Sequence, residues 1–188
     1  LGLAFNDVSD ISALNDEMND MWGLDLSYNS GITSLETLPA NLKESLKVLW
    51  IAGLELDLTP LSELKSLREL RLGDGLNGRR INLNLEALAG AAGLEKLTLV
   101  GAQVDSLDFL RNLTNLRYLT VSSCGVTESM LPALNELTQL EELALENDGL
   151  TSLDGIPFER LTKLWSLRIG GNAIETLPAL DERVNVQR

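Results

Sequence analysis

Histidine is absent from the 188 residues, and cysteine occurs once, as Cys124. Without histidine the chain lacks the side chain that most often acts as a general base near neutral pH and that most often binds a metal ion. A single cysteine cannot form an internal disulfide or a zinc site built from several thiolates. The sequence therefore excludes a nucleophile–histidine pair and a cysteine-rich metal site, and we expect no enzyme activity, no metal and no cofactor.

Long apolar runs and basic residues are also scarce. No stretch reaches the roughly 18 consecutive apolar residues that a membrane-spanning helix needs, so we expect no membrane insertion. The chain is acidic, with 15 basic against 28 acidic residues and a net charge of −13. That charge repels nucleic-acid phosphates, so no nucleic-acid partner is expected. The apolar content of 44% is typical of a globular protein.

A nonamer of the pattern L-x-x-L-x-L-x-x-N recurs along the chain. Examples are "LRYLTVSSC" at 116–124 and "LWSLRIGGN" at 164–172. Such self-similarity at a fixed period indicates a repeat architecture. The seven complete copies start near residues 21, 46, 67, 94, 116, 140 and 164, and partial copies lie at 1–6 and 182–188.

The spacing of leucines changes between the nonamers and the segments that join them. Within a nonamer the L-x-L step predicts a short strand with two inward side chains, and such strands stack about 4.8 Å apart into a parallel sheet. Between nonamers the apolar spacing is three, as at Leu110, Leu113 and Leu116, which favours a tight helical turn of three residues.

Two of the return segments between nonamers have a helical period. They are residues 84–91 and 129–137, and Asn84 and Ser129 are the residue types that cap helix N-termini. We therefore expect helices there with these two side chains as caps. The segments at 56–61 and 154–161 are short or interrupted by proline, so only turns are expected.

The repeats resemble those of the leucine-rich repeat family over essentially the whole chain. Segments such as "DISAL", "DLTPL" and "SLDFLRNLTNL" are similar to internalin-type bacterial surface proteins and to the phosphatase-regulatory branch. The resemblance implies an α/β fold, a leucine-rich-repeat solenoid. This is a curved right-handed coil with a parallel β-sheet on its concave face and short α or 3-10 helices and turns on its convex face.

The resemblance also implies a function, a location and a domain organisation. The expected function is non-catalytic protein–protein interaction, and the internalin-like segments favour a bacterial, extracytoplasmic or cell-surface location. We expect one leucine-rich-repeat domain over residues 1–188. Because the terminal copies are incomplete, these residues are interpreted as a fragment of a longer chain.

The ninth position of the nonamer usually holds asparagine in this family, where the amide pairs with backbone groups of the turn. Leu54, Gly75 and Ala102 depart from this pattern in three adjacent copies. Their backbone groups must find other partners, so we predict looser turns there. Cys124 also occupies this position, which the family accepts, and no chemistry is assigned to it.

Residues at the third, fifth and seventh positions are predicted to face away from the core on one side of the sheet. Trp50, at a fifth position, is the most unusual of them: it forms a contact site for a partner, or it leans on neighbouring side chains. Trp22 and Trp165, at second positions, are predicted to be packing residues at the strand edge. The predicted partner-binding residues are Trp50, Arg71, Lys96, Tyr118, Val48, Glu69 and Arg168.

Basic residues gather in the two central copies. Such a cluster would receive an acidic partner or an anionic sugar, unless Glu69 and Glu95 on the same copies neutralise it. Both readings remain open from the sequence. The cluster comprises Arg68, Arg71, Arg79, Arg80 and Lys96.

Two other functions compete with the protein-binding module. The chain could be the recognition arm of a larger secreted enzyme, toxin or effector, or a structural adhesin spacer. The partner's identity and the oligomeric state do not follow from the sequence.

Overall fold

The computed structural model describes residues 1–14, 18, 21–76, 78 and 80–188. Within these residues, eight strands form one parallel sheet whose spatial order follows the chain. Each complete nonamer supplies one strand and the segment 182–188 supplies the eighth, which confirms the predicted leucine-rich-repeat solenoid. The strands are β1 (Gly23–Asp25), β2 (Val48–Trp50), β3 (Glu69–Gly73), β4 (Lys96–Val100), β5 (Tyr118–Ser122), β6 (Glu142–Glu146), β7 (Ser166–Arg168) and β8 (Asn185–Gln187).

The strand register places the same nonamer position side by side in every coil. Leu97 on β4, for example, lies between Leu70 on β3 and Leu119 on β5. These fourth-position side chains are buried, and so are the sixth-position ones such as Leu99. Each fully buried leucine contributes about 1.5–3 kcal/mol relative to an exposed one, so the repeated leucines hold the coils together.

The return segments follow the predicted spacing of three. The N–H of Leu110 donates to the carbonyl of Leu107 at 2.9 Å, Leu113 to Leu110 at 2.9 Å and Leu116 to Leu113 at 3.0 Å. In such 3-10 turns residues three apart lie on one side, so every third leucine points into the core. The 3-10 helices span Thr59–Glu63, Leu85–Gly90, Asp108–Asn112 and Glu128–Glu136.

The predicted capping interactions are wrong. Asn84 makes no capping hydrogen bond; its Oδ1 accepts from the Leu58 N–H at 2.7 Å and its Nδ2 donates to Asp57 Oδ1 at 2.6 Å. The Ser129 hydroxyl lies 2.9 Å from that of Thr127. In a stack, polar groups of the preceding coil lie within reach of the Asn84 amide, and it joins two coils instead of capping one helix.

One short α-helix was not expected from the sequence. Helix α1 (Ala40–Ser45) follows Pro39 and buries Leu42. Proline is compatible with a helix start because the first N–H groups lack intrahelical partners. Among the described residues, the other helices are of the 3-10 type.

In most coils the eighth position turns the chain out of the strand through a left-handed backbone conformation; in the copy at 67–75 the seventh-position Gly73 does so, with φ of 93°. Phe5 and Tyr28 adopt φ values of 58° at the eighth position, and their rings stack with centroids 4.5 Å apart. Gly53 occupies the next copy, with φ of 76°. A Cβ at Gly53 would lie 2.4 Å from the Tyr28 ring, so this coil requires glycine both for its backbone and for its neighbour.

Candidate partner-binding face

The third and fifth positions of the nonamers form two rows on the concave side of the sheet. All seven predicted partner-binding residues lie in these rows, and the strand register sets their order. The third-position row runs Gly23, Val48, Glu69, Lys96, Tyr118, Glu142, Ser166 and Asn185. The fifth-position row runs Asp25, Trp50, Arg71, Thr98, Thr120, Ala144, Arg168 and Gln187.

Trp50 is half-buried on this face and is held by its neighbours. Its Nε1 donates to Glu69 Oε1 at 3.0 Å, and Lys96 Nζ lies 3.2 Å from the same oxygen. Residues on β2, β3 and β4 are thereby linked into one network. The indole leans on a neighbour, as one reading of the sequence held, while its side chain remains on the solvent-facing side of the sheet.

Arg168 occupies the far end of the fifth-position row and is surrounded by acceptors. Its Nη2 donates to Thr120 Oγ1 at 3.4 Å, and its guanidinium lies 3.7 Å from Glu146 and 4.0 Å from Glu142. The charge of Arg168 is therefore largely compensated within the protein.

Tyr118 connects the concave face to the edge of the sheet where the strands begin. Its hydroxyl donates to Glu141 Oε2 at 3.2 Å, and Arg117 donates to both oxygens of Glu141 at 2.8 and 3.1 Å. The Arg117 guanidinium also lies 5.4 Å from the centre of the Tyr118 ring. Hydrogen bonding to Arg117 lowers the pKa of Glu141, whereas burial raises the pKa of Tyr118.

The predicted basic cluster is split by the fold. Arg68 pairs with Glu95 at 3.6 Å, and Lys96 pairs with Glu69, so the two glutamates neutralise these cations as the alternative reading expected. Arg80 donates instead to the Ser123 carbonyl at 2.9 Å, at the other end of the strands. Arg79 lies outside the described residues.

Arg71 differs from the other concave cations. Its side chain is exposed, and none of the described carboxylates lies within 4.0 Å of it. The strand register places it between Trp50 and Thr98. An uncompensated positive charge therefore stands directly beside the aromatic residue of this face.

The packing role predicted for Trp22 and Trp165 is wrong, since these side chains are 63% and 48% exposed. Second-position residues precede the strand and point to solvent along its edge. The sequence contained a signal for this arrangement, because the same position in the intervening copies is charged throughout. Those residues are Lys47, Arg68, Glu95, Arg117 and Glu141.

An apolar groove opens between Trp22 and Trp50. Its volume is about 390 Å³, and its lining includes Met21, Gly23 and Val48. The other lining residues are Leu1, Gly2, Leu24 and Asp25. Gly23 contributes no side chain to the groove, which leaves space above β1.

Cys124 is fully buried at the corner of its coil. Its thiol donates to the Ser122 carbonyl at 3.2 Å, and burial raises its pKa. A thiol in this environment resists conversion to the reactive thiolate. The side chain packs at the ninth position, as interpreted from the sequence.

A comparison with models of protein families finds no match. The chain is 34% identical over 124 residues to the human Volume-regulated anion channel subunit LRRC8E, covering 64% of this chain and 15% of that protein. It is 32% identical over 130 residues to the rat Leucine-rich repeat-containing G-protein coupled receptor 5, covering 64% of this chain and 14% of the receptor. The chain thus spans about one seventh of each relative. Among the described residues, no helix combines the length and apolar character needed to cross a bilayer.

The fold is similar to that of a crystallised internalin C2 from Listeria monocytogenes. The two share 25% sequence identity with a TM-score of 0.68, over 89% of this chain and 70% of the internalin chain. The rat receptor is named for its leucine-rich repeats, and in this structure each repeated nonamer forms one strand of the stack. The chain is therefore a leucine-rich repeat protein.

Proposed function

We propose that this chain is a non-catalytic module that binds a protein partner on the concave face of its sheet. The contact would centre on Trp50, Arg71, Lys96 and Tyr118, with Val48, Glu69 and Arg168 around them. Leucine-rich repeat folds commonly mediate protein–protein interaction, and this proposal assigns that role to a particular surface.

The observation that carries the proposal is the network around Trp50. Tryptophan, tyrosine and arginine dominate binding hot spots, and here the indole is fixed by Glu69, which Lys96 also contacts. A side chain that is already ordered loses less conformational entropy on binding. The sheet beneath supplies a rigid support, so the face is preorganised for a partner.

The chemistry of the side chains supports a binding role over catalysis. The chain contains no histidine, and its only cysteine is buried with a raised pKa. The proteins to which it is similar are named as a channel subunit, a receptor and an internalin.

A second proposal concerns the larger protein. The curated relatives are about seven times longer than the regions they share with this chain. This supports a role as the recognition arm of a longer protein, and the internalin and receptor likenesses support a surface or extracytoplasmic location. Cell fractionation of the full-length gene product tests the location; recovery only from the cytosolic fraction would contradict it.

Partner selection followed by affinity measurement tests the concave face directly. Proteins would be selected from an expressed library against the 188-residue chain, and their affinities measured by surface plasmon resonance. We expect Trp50→Ala and Tyr118→Ala each to weaken binding at least tenfold. Trp165→Ala is the matched control, because this tryptophan is also exposed but lies on the sheet edge. Unchanged affinity for both concave variants would overturn the proposal.

A further inference from the structure

The cations of the concave face differ in how their charge is compensated. Lys96 has Glu69 at 3.2 Å, and Arg168 has Glu146 at 3.7 Å. Arg71 is exposed and has no such carboxylate within the described part of the chain. A guanidinium that lacks an internal partner can form a bidentate pair with a carboxylate from outside.

The surroundings of Arg71 restrict what such a carboxylate could belong to. On one side stands Trp50, whose N–H is already used on Glu69, so its remaining surface is apolar. Beyond Trp50 lies the groove of about 390 Å³ that also contacts Trp22 and Val48. An incoming segment therefore meets a positive charge and, next to it, an apolar recess.

Asp25 makes the groove, unlike the surroundings of Arg71, unfavourable for a negatively charged group. Asp25 is one of the residues that line the groove, and its Oδ1 accepts a hydrogen bond from the Ser27 N–H at 3.0 Å. A second carboxylate entering the groove would be repelled by Asp25 and would lose its hydration among the indoles. The acidic group of a ligand is thus favoured at Arg71, and a neutral apolar group is favoured in the groove.

We propose that this end of the concave face recognises an acidic peptide segment whose carboxylate pairs with Arg71 while a neighbouring large apolar side chain fills the groove between Trp22 and Trp50. The inference rests on the proposed function and names the chemistry of its partner. Strands lie about 4.8 Å apart, so the two contacts are separated by roughly 7–10 Å. An extended peptide covers that distance in two or three residues.

The net charge of −13 repels acidic chains at a distance. The recognition therefore acts at contact range, where Arg71 is close and the distant carboxylates are screened by salt. A stronger effect of Arg71 on the dissociation rate than on the association rate follows from this arrangement.

A random decapeptide library displayed on phage, selected against the 188-residue chain, tests the inference. We expect recovered sequences to be enriched in Asp or Glu two or three positions from Leu, Ile, Met, Phe or Trp. A synthetic peptide of the recovered sequence, measured by fluorescence anisotropy, should bind at least tenfold more weakly to Arg71→Gln. Gly23→Val should have a similar effect, because it adds a side chain to a residue that lines the groove; its Cβ would make an ordinary contact, 3.6 Å from that of Val48.

Arg111→Gln is the matched control, since it removes one positive charge from the 3-10 helix Asp108–Asn112 and should change affinity less than twofold. Recovered peptides without acidic residues, or affinity unchanged in Arg71→Gln, would overturn this inference. If peptides that contradict the inference still bind more weakly to Trp50→Ala and Tyr118→Ala, the proposed function remains supported without it. Peptides insensitive to all these variants would overturn both. No recovered peptide at all would overturn this inference, while the protein library described above decides the proposed function.

Discussion

The turn at the ninth position of each nonamer, here called the corner, is stabilised differently in the outer coils and in the middle coils. In an outer coil, the Asn29 amide donates to the carbonyls of Leu26 at 3.0 Å and Leu3 at 2.8 Å, and it accepts from the Val8 N–H at 3.0 Å. Asn172, near the other end of the sheet, bonds to the equivalent carbonyls of its own and the preceding coil. These side chains connect each corner to the one before it.

In the middle coils the ninth position holds Leu54, Gly75 or Ala102, none of which has an amide side chain. Leu54 and Ala102 are buried in the apolar core, and Ile81 pairs with Ala102 through a parallel bridge. The Gln103 N–H then donates to the Ile81 carbonyl at 2.8 Å. The same corner can thus be stabilised by amide hydrogen bonds or by apolar packing, and at Ala102 an inserted backbone segment adds a parallel bridge.

Leu54→Asn tests whether an asparagine side chain would stabilise a middle corner. We expect the free energy of unfolding to fall by about 3 kcal/mol, because apolar contacts are lost and a polar group is buried without assured partners. Urea denaturation followed by circular dichroism measures the change. A gain in stability would show that the corner was deficient and would support the predicted looser turn.

Asn29→Ala tests the outer corner. It removes a fully buried amide, and the Leu26 carbonyl and the Val8 N–H lose this partner, so we expect a loss of about 2 kcal/mol. The same denaturation measurement applies. Asn135→Ala is the control, because the Asn135 amide donates to the adjacent Glu136 side chain, and its removal should cost less than about 0.5 kcal/mol. Equal losses for the two variants would remove the distinction between corner and surface asparagines.

Asp148→Asn tests a corner whose side chain accepts hydrogen bonds, as the outer asparagines do, but has no amide N–H to donate. Asp148 Oδ1 accepts N–H bonds from Cys124, Gly125 and Val126, but its buried Oδ2 has no hydrogen-bond partner. An amide there could donate to carbonyls, as Asn172 does, so stability should rise by about 1 kcal/mol. Asp154→Asn is the control, since it makes the same charge change at an exposed turn. Thermal melts of both variants at pH 7 would settle the sign, and a destabilised Asp148→Asn would contradict the comparison.

Glu128→Gln extends the comparison to the convex side, where Glu128 joins two coils. Its Oε1 accepts from the N–H and hydroxyl of Thr151, and the Thr151 backbone bond is the main cause that lowers the pKa of Glu128 from 4.5 to about 2. The native state then binds fewer protons than the unfolded state between these values. The stability supplied by this carboxylate is therefore complete above pH 4.5 and lost as pH falls through 2.

The expected result is a smaller loss of melting temperature between pH 5 and pH 3 in Glu128→Gln than in the unmodified protein. The glutamine oxygen can still accept both bonds, but it does not titrate. Glu86→Gln, an exposed carboxylate on the 3-10 helix Leu85–Gly90, controls for the change in net charge. Identical pH profiles for all three proteins would show that the stabilisation by the Glu128–Thr151 hydrogen bonds does not depend on the ionised Glu128 carboxylate.

The repeated part of this architecture was predictable because it obeys local rules. Leucines three apart, such as Leu110 and Leu113, must share one side of a 3-10 turn, and alternate residues such as Trp50 must face away from the core. These rules can be applied to the sequence without knowledge of the neighbouring coils. They predicted the strands, the core and the two rows of the candidate face.

The remaining features depend on the adjacent coil, which the sequence alone does not align in detail. The hydrogen bond from Trp50 to Glu69 requires the exact offset between β2 and β3. The Arg80 side chain reaches the Ser123 carbonyl, 43 residues away, because the longest repeat passes over a neighbouring corner. Trp22 could have been placed correctly, since the charged residues at its position in later copies indicate solvent.

In the described part of the chain, each strand pairs only with the strands of the coils before and after it. Adding or deleting one coil between Arg71 and Tyr118 would therefore move these residues apart or together in steps of about 4.8 Å, without disturbing either. The number of coils between two contact residues therefore sets the distance between them, and with it the length of partner segment that can contact both.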